Sequence, residues 1–260
     1  MIICPNCKEK LQKINKSYQC INKHSFDIAK EGYVNLLLNK RHSGDNKLMI
    51  RARKEFLEKG YFKVLANQIL KHIIDTNLNN PSILDIGCAD GYYTNIINKK
   101  IPNILGIDIS KEAIKLAAKA YRDIEFFVAS SKELPVSNSS TNIILSVFSP
   151  VFVDEIIRVL KDDGILIKVT PNSNHLIELK EIVYENVYYT KEKLIEDDRL
   201  LLVSSNDLTY SLNIPNSDLR NLITMTPYYY KTNPKDLKVL EMIETLDITF
   251  DFCISIYKLI

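Results

Sequence analysis

The 260-residue chain has no apolar run of the ~18–20 residues that a membrane-spanning helix needs. Its first residues, Met1-Ile2-Ile3-Cys4-Pro5, offer neither a basic stretch nor an apolar one, so no secretory leader is read there. Internal repeats are absent. Cysteine is scarce: 5 residues, at positions 4, 7, 20, 88 and 253. An odd number with one tight cluster argues against the disulfide framework of a small secreted domain and for thiolates held by a metal in a reducing compartment. A cytoplasmic protein is expected. What remains, 46% hydrophobic and 25% charged residues, is the composition of an ordinary globular chain with one large core and a small accessory module.

The formal net charge is only +2, but it is unevenly spread. Residues 1–80 carry 15 Lys/Arg against 7 Asp/Glu, and residues 81–260 carry 19 against 25. A basic first third on a mildly acidic body points to a polyanion as partner of the front end. The plainer alternative is a solvated lysine-rich face.

Residues 1–26 are too few and too polar to fold around an apolar core. The stretch 39–46, with Ser43-Gly44-Asp45, reads as a loop. Over 47–76 apolar residues recur at helical spacing (Leu48, Ala52, Phe56, Leu57, then Phe62, Leu65, Ile69, Ile73), with Gly60 dividing two helices. After Pro81 the pattern changes. Short apolar strands at 83–86, 104–108, 125–128, 143–147 and 164–169 alternate with helices at 90–98, 110–121 and 154–160. That order predicts an α/β fold with a parallel sheet covered on both faces. A helix at 175–185 and strands at 200–204 and 248–257 complete the expected elements.

Two motifs carry chemistry. Cys4, Cys7, Cys20 and His24 stand in C-x2-C-x12-C-x3-H spacing. Zn²⁺ takes four such ligands tetrahedrally, and in so short a segment the metal supplies most of the folding energy. Nothing leaves an open coordination position, so the zinc is expected to be structural. The second motif, Leu84-Asp85-Ile86-Gly87-Cys88-Ala89-Asp90-Gly91, follows a strand and opens a helix. Glycines there let backbone amides approach a ligand at a helix N-terminus. A second strand ends at Asp108, 23 residues after Asp85, where a carboxylate suits a ribose diol.

A dinucleotide-binding dehydrogenase would share this outline, but there the strand leads straight into Gly-x-Gly. Asp85-x-Gly87-x-Ala89-x-Gly91 resembles instead the first motif of class I methyltransferases, with Ala89 in place of the usual middle glycine. Ala129-Ser130-Ser131 then falls where such folds hold the adenine. The loop Phe148-Ser149-Pro150 has no Asn/Asp-Pro-Pro for an exocyclic amine. No cysteine near it suits attack on cytosine C5, and no Lys-Asp-Lys-Glu set for a ribose hydroxyl is found. By elimination, a ring nitrogen is the remaining nucleic-acid target.

The blocks Phe26-Asp27-Ile28-Ala29-Lys30-Glu31-Gly32-Tyr33-Val34-Asn35-Leu36-Leu37, Ala52-Arg53-Lys54-Glu55-Phe56-Leu57, Thr170-Pro171 to Lys180 and Met225-Thr226-Pro227 join the zinc ligands and the Asp85–Gly91 turn in one further likeness. Together they closely resemble the bacterial 23S rRNA (guanine-N1)-methyltransferase family. The resemblance implies a class I (Rossmann-like) methyltransferase fold with an N-terminal zinc module. It implies S-adenosylmethionine as cofactor, structural zinc, and methyl transfer to guanine N1 in a hairpin loop of 23S rRNA by a homodimer. It divides the chain into a zinc-binding RNA-recognition module (1–38), a helical linker (39–78) and a methyltransferase domain (79–260). It adds Tyr61 and His175 to Asp85, Gly87, Ala89, Asp90, Gly91 and Asp108 as residues of the cofactor pocket. Two family cations are replaced, by Ser146 and Asn174.

Removing the guanine N1 proton calls for a base or for donors to O6. Asp154 and Glu155 are the candidates for that base, against the plainer reading of acids favoured at a helix N-terminus. Tyr33 and Tyr228-Tyr229-Tyr230 are candidate stacking faces for an extruded base. The competing functions are a methyltransferase acting on a small molecule and a non-catalytic rRNA-binding assembly factor.

Overall fold

The computed structural model describes residues 2–39, 46–184, 187 and 194–260. Residues 40–45 of the expected loop and the end of the helix expected at 175–185 lie outside the described residues. Strands β1 (Gln12–Ile14), β2 (Ser17–Gln19) and β3 (Ser25–Asp27) form a small antiparallel sheet, followed by β4 (Val34–Asn35). Helices α1 (Lys47–Glu58) and α2 (Lys63–Ile74) lead into β5 (Ile83–Ile86), α3 (Tyr92–Asn98), β6 (Ile104–Asp108), α4 (Lys111–Ala120) and β7 (Glu125–Val128). The chain continues through β8 (Thr141–Val147), α5 (Val153–Val159), β9 (Leu160–Pro171) and α6 (Ile177–Val183). It ends with β10 (Leu200–Pro215), α7 (Asn216–Thr224), α8 (Pro234–Glu241) and β11 (Thr245–Leu259).

Local chemistry explains the boundaries. The Asn46 side chain accepts the N–H groups of Leu48 and Met49 and starts α1, which buries Met49, Ile50, Ala52, Phe56 and Leu57. Gly60, at φ +87°, takes the left-handed turn that ends it. Ser110 caps α4 through Ala113 N–H (3.3 Å), and Ile114, Ala117 and Ala118 face the sheet. All four residues of β5 are buried, as a strand covered on both faces requires.

The main sheet runs β10-β11-β9-β8-β5-β6-β7-β4. Strands β4 to β9 are parallel, while β11 runs antiparallel to both β9 and β10, so the sheet is mixed rather than parallel throughout. The last two strands are far longer than expected, and α7 and α8 had no counterpart in the sequence reading. β10 is a sheet edge whose residues are mostly exposed, and the polar stretch at 204–207 divides its apolar residues; its pairing with β11 is made by backbone. Strand order reverses between β5 and β8. Ligands of open α/β sheets bind in the crevice at such a switch point, at the carboxyl ends of the strands.

Candidate active site and metal centre

Loops on either side of β1 and β2 bring Cys4, Cys7, Cys20 and His24 together, with one ligand atom from each within 4.8 Å of all the others. Cys7 Sγ stands 3.6 Å from Cys20 Sγ, and His24 Nδ1 stands 3.5 Å from Cys4 Sγ and 3.4 Å from Cys20 Sγ. These are too long for strong hydrogen bonds and match tetrahedron edges of about 3.5–3.8 Å, which Zn–S bonds of ~2.3 Å and Zn–N bonds of ~2.0–2.1 Å generate. Three thiolates and an imidazole fit zinc and fill its coordination shell.

At the carboxyl end of β5 the backbone turns through left-handed residues Gly87 (φ +71°), Ala89 (φ +49°) and Gly91 (φ +78°). A β-carbon on Gly87 would stand 2.3 Å from Ser149 Cβ, and one on Gly91 2.8 Å from Phe126 Cζ. Only glycine fits either place. Ala89 tolerates its conformation with a single methyl group. Asp108, at the tip of β6, accepts Ala89 N–H at Oδ2 (3.0 Å) and Ser110 N–H at Oδ1 (2.7 Å). Both carboxylate oxygens are thereby fixed in direction. Ala129 N–H, just past β7, donates to Asp108 O (3.0 Å), and Ser130 is buried beside it.

The turn is acidic. Burial raises Asp85 to about 7, although its carboxylate accepts the Thr94 hydroxyl (2.6 Å) and is partly stabilised by it. Burial raises Asp90 to about 6, with Arg53 and Lys54 of α1 pulling the other way. Burial pushes the Cys88 thiol up, and Asp85, Asp108 and Asp90 push it further. Negative charge on Asp108, and on Asp90 and Asp85 where they are ionised, favours a sulfonium and an ammonium group over a pyrophosphate. The donor set therefore fits S-adenosylmethionine better than a dinucleotide.

Beyond β8 the rim is aromatic. Phe148 sits at φ +55°, a conformation bulky residues rarely adopt, with 43% of its surface exposed. Its ring centroid lies 5.5 Å from Phe252, 6.3 Å from Phe62 and 6.3 Å from His175, nearly parallel to the imidazole (24°). His175 is 8% exposed, and burial lowers it to about 3, so the ring is neutral. Its Nδ1 accepts Asp251 N–H (3.3 Å), which leaves the ring proton on Nε2. Ser146 and Ser149 tie this loop to β5. The Ser146 hydroxyl reaches Ser149 O (3.0 Å) and Oγ (2.9 Å), and Ser149 Oγ donates to Ile86 O (2.7 Å). Ser146 thus fixes the loop.

The Tyr61 hydroxyl donates to Asp218 of α7 (2.7 Å), its carbonyl accepts the Tyr210 hydroxyl (2.9 Å), and burial beside Asp218 raises it to about 12. Tyr33 is buried in a core cluster, whereas Tyr230 is exposed. Asp154 and Glu155 are each paired with an arginine. Glu155 accepts Leu134 N–H (2.5 Å) and two Arg158 hydrogen bonds (2.7 and 2.8 Å), which outweigh its burial and hold it below the usual carboxylate range. Asp154, 87% exposed, pairs with Arg199 (2.9 Å), just before Leu200. Leu200 pairs with Leu259, past the Lys258–Ile165 pair at the amino end of β9's parallel run. Through Arg199, Asp154 stands by the amino end of that run, while Glu155 is tied to Leu134 in the segment after β7. Phe148, Ser149 and Asp251 were not singled out from sequence, because a backbone conformation and a cross-sheet hydrogen bond leave no local signature.

The fold, the acidic nucleoside crevice and the four-ligand cluster define an S-adenosylmethionine-dependent methyltransferase with a zinc ribbon. Known families agree: one described as "RlmA, N-terminal", a zinc ribbon, matches residues 2–43, and one described as "Methyltransferase domain" matches residues 77–217. The chain is 31% identical over 272 residues to a putative 23S rRNA (guanine-N(1)-)-methyltransferase of Bacillus subtilis, YxjB, covering 98% of this chain and 96% of that protein. It is 28% identical over 266 residues to the 23S rRNA (guanine(748)-N(1))-methyltransferase of Streptomyces fradiae, covering 96% and 95%. It belongs to the 23S rRNA (guanine-N1)-methyltransferase family. The solved structure of the YcgJ protein of Bacillus subtilis shares the fold, with TM-score 0.50 at 18% identity over 75% of this chain and 99% of that one.

Proposed function

We propose that the protein transfers a methyl group from S-adenosylmethionine to N1 of a guanine in a hairpin loop of 23S rRNA. The observation that carries this reading is the likeness over nearly the whole length, zinc ribbon and methyltransferase domain together, to relatives named for that reaction. When bound, S-adenosylmethionine supplies a sulfonium-activated methyl group, so the protein's task is alignment and charge control. Asp108 holds the ribose, Ala129 and Ser130 border the adenine, and the Gly87–Gly91 turn faces the amino-acid end. Asp85 and Asp90 set the negative potential around that turn; Tyr61 and His175 close the pocket's rim.

The target base stacks on Phe148 after leaving its helix. There the neutral His175 ring presents its Nε2–H, the donor suited to charge growing on guanine O6 as N1 loses its proton. The exposed lysines of the ribbon, Lys8, Lys10, Lys13, Lys16 and Lys23, supply a basic face for RNA phosphates. The same reading has the protein work in the cytoplasm as a homodimer, with residues 1–38 meeting RNA, 39–78 linking and 79–260 catalysing. Among the described residues no helix is long and apolar enough to cross a membrane.

The test is transfer of tritiated methyl from S-adenosylmethionine to a transcript of the rRNA hairpin. Labelled RNA is expected. Unlabelled RNA with label recovered on a small molecule would refute the reading.

A further inference from the structure

The zinc ribbon shares its core with the cofactor strands. Cys4, Leu11 and Cys20 pack in one buried cluster with Leu36, Phe127 and Ala129. The backbone is continuous across the same seam. Ile3 N–H donates to Pro135 O (2.9 Å), and β4 lies parallel to β7 with Val34 opposite Phe127. Leu36 N–H donates to Val128 O (2.9 Å), and the next residue, Ala129, donates to Asp108 O (3.0 Å). The Tyr18 ring meets Phe127 edge-on at 5.5 Å, and its hydroxyl bonds Glu125. The segment 128–135, which on the proposed function borders the adenosine, is thus held on one side by β6 and on the other by the ribbon.

A ribbon this small keeps its shape only through its metal. Without that shape, two-residue β4 has no support behind it, and 128–135 loses one of its two walls. We infer that the zinc centre positions the cofactor site: metal on Cys4, Cys7, Cys20 and His24 fixes the 128–135 segment and with it the affinity for the adenosine moiety. This role is separate from any grip on RNA and does not depend on which nucleotide is methylated.

The test is calorimetric titration of the full chain with S-adenosylhomocysteine, without RNA, in zinc-loaded and chelator-treated protein, with circular dichroism to follow the fold. A loss of at least about fivefold in affinity on metal removal, with the main sheet and helices retained, is expected for coupled sites. Affinity unchanged by metal removal would overturn the inference. A zinc-loaded Leu36→Ala variant decides the matter if chelation unfolds the chain. It should keep its zinc and lose about fivefold or more in affinity, while Leu240→Ala, a truncation in α8 on the other core, keeps wild-type affinity. Wild-type affinity in Leu36→Ala, or an equal loss in Leu240→Ala, would overturn the proposal.

Discussion

Gly87 and Ser149 approach so closely that a β-carbon on the glycine would lie 2.3 Å from the serine's own β-carbon. The loop after β8 therefore rests directly on the turn after β5, and the Ser149 hydroxyl bonded to Ile86 O locks the two together. In the proposed function, the turn for the methyl donor and the loop for the acceptor are joined by this contact.

Gly87→Ala breaks that contact. The left-handed conformation costs a side chain about 1–2 kcal/mol, and forcing in the methyl group adds about 1–3 kcal/mol. Reduced stability in urea and strongly weakened S-adenosylhomocysteine binding are expected, the first by denaturation and the second by calorimetry. A variant matching wild type in both would show that the turn has room it does not display.

Phe148 has an exposed ring in a strained backbone, which suits a stacking face better than a core residue. Removing an aromatic stacking partner costs about 1–3 kcal/mol per base. Phe148→Ala should lower kcat/KM for RNA correspondingly and leave S-adenosylhomocysteine affinity near wild type. Undiminished methylation of the hairpin would remove Phe148 from the substrate pocket.

His175 gives the fold a pH dependence of defined sign. Folded, it stays neutral down to about pH 3; unfolded, it binds a proton near 6.5. Below about 6.5 the unfolded chain holds the extra proton, so this contribution lowers stability as the pH falls, reaching about 2 kcal/mol at pH 5. Asp85 acts oppositely: its folded value of about 7 lies above its unfolded 3.8, so its contribution lowers stability as pH rises between them. Comparing urea stabilities of wild type and His175→Gln at pH 5 and 7 isolates the histidine. A difference between the two proteins that does not change with pH would contradict its buried neutral state.

Asp154 is exposed and held by Arg199 in a solvent-screened pair, not aimed at a buried substrate site. Asp154→Ala should methylate RNA at the wild-type rate. A fall of about 100-fold or more in kcat, the size of a lost general base, would restore it as the acceptor of the N1 proton.

The parts legible in sequence are those written in local pattern. The spacing of Cys4, Cys7, Cys20 and His24 is brought to one point in the fold, and the apolar runs at 83–86 and 104–108 became β5 and β6. The long hairpin of β10 and β11 was read as two short pieces: the polar run at 204–207 interrupts β10, and the alternation of Leu208, Tyr210, Leu212 and Ile214 beyond it was missed. Asp154 and Glu155 were candidates for the base because they follow the strand-four loop. Sequence distance does not show that Asp154 meets Arg199 or that Glu155 meets Leu134. The shared core of Cys4, Phe127 and Ala129 joins residues more than a hundred positions apart, and no local pattern encodes it.

The identity of the methylated nucleoside decides the matter most directly. Hairpin RNA treated with the protein and S-adenosylmethionine, digested to nucleosides and resolved by mass spectrometry, should yield 1-methylguanosine alone. A methyl group on the exocyclic amine, on the ribose or on another base would contradict N1 transfer.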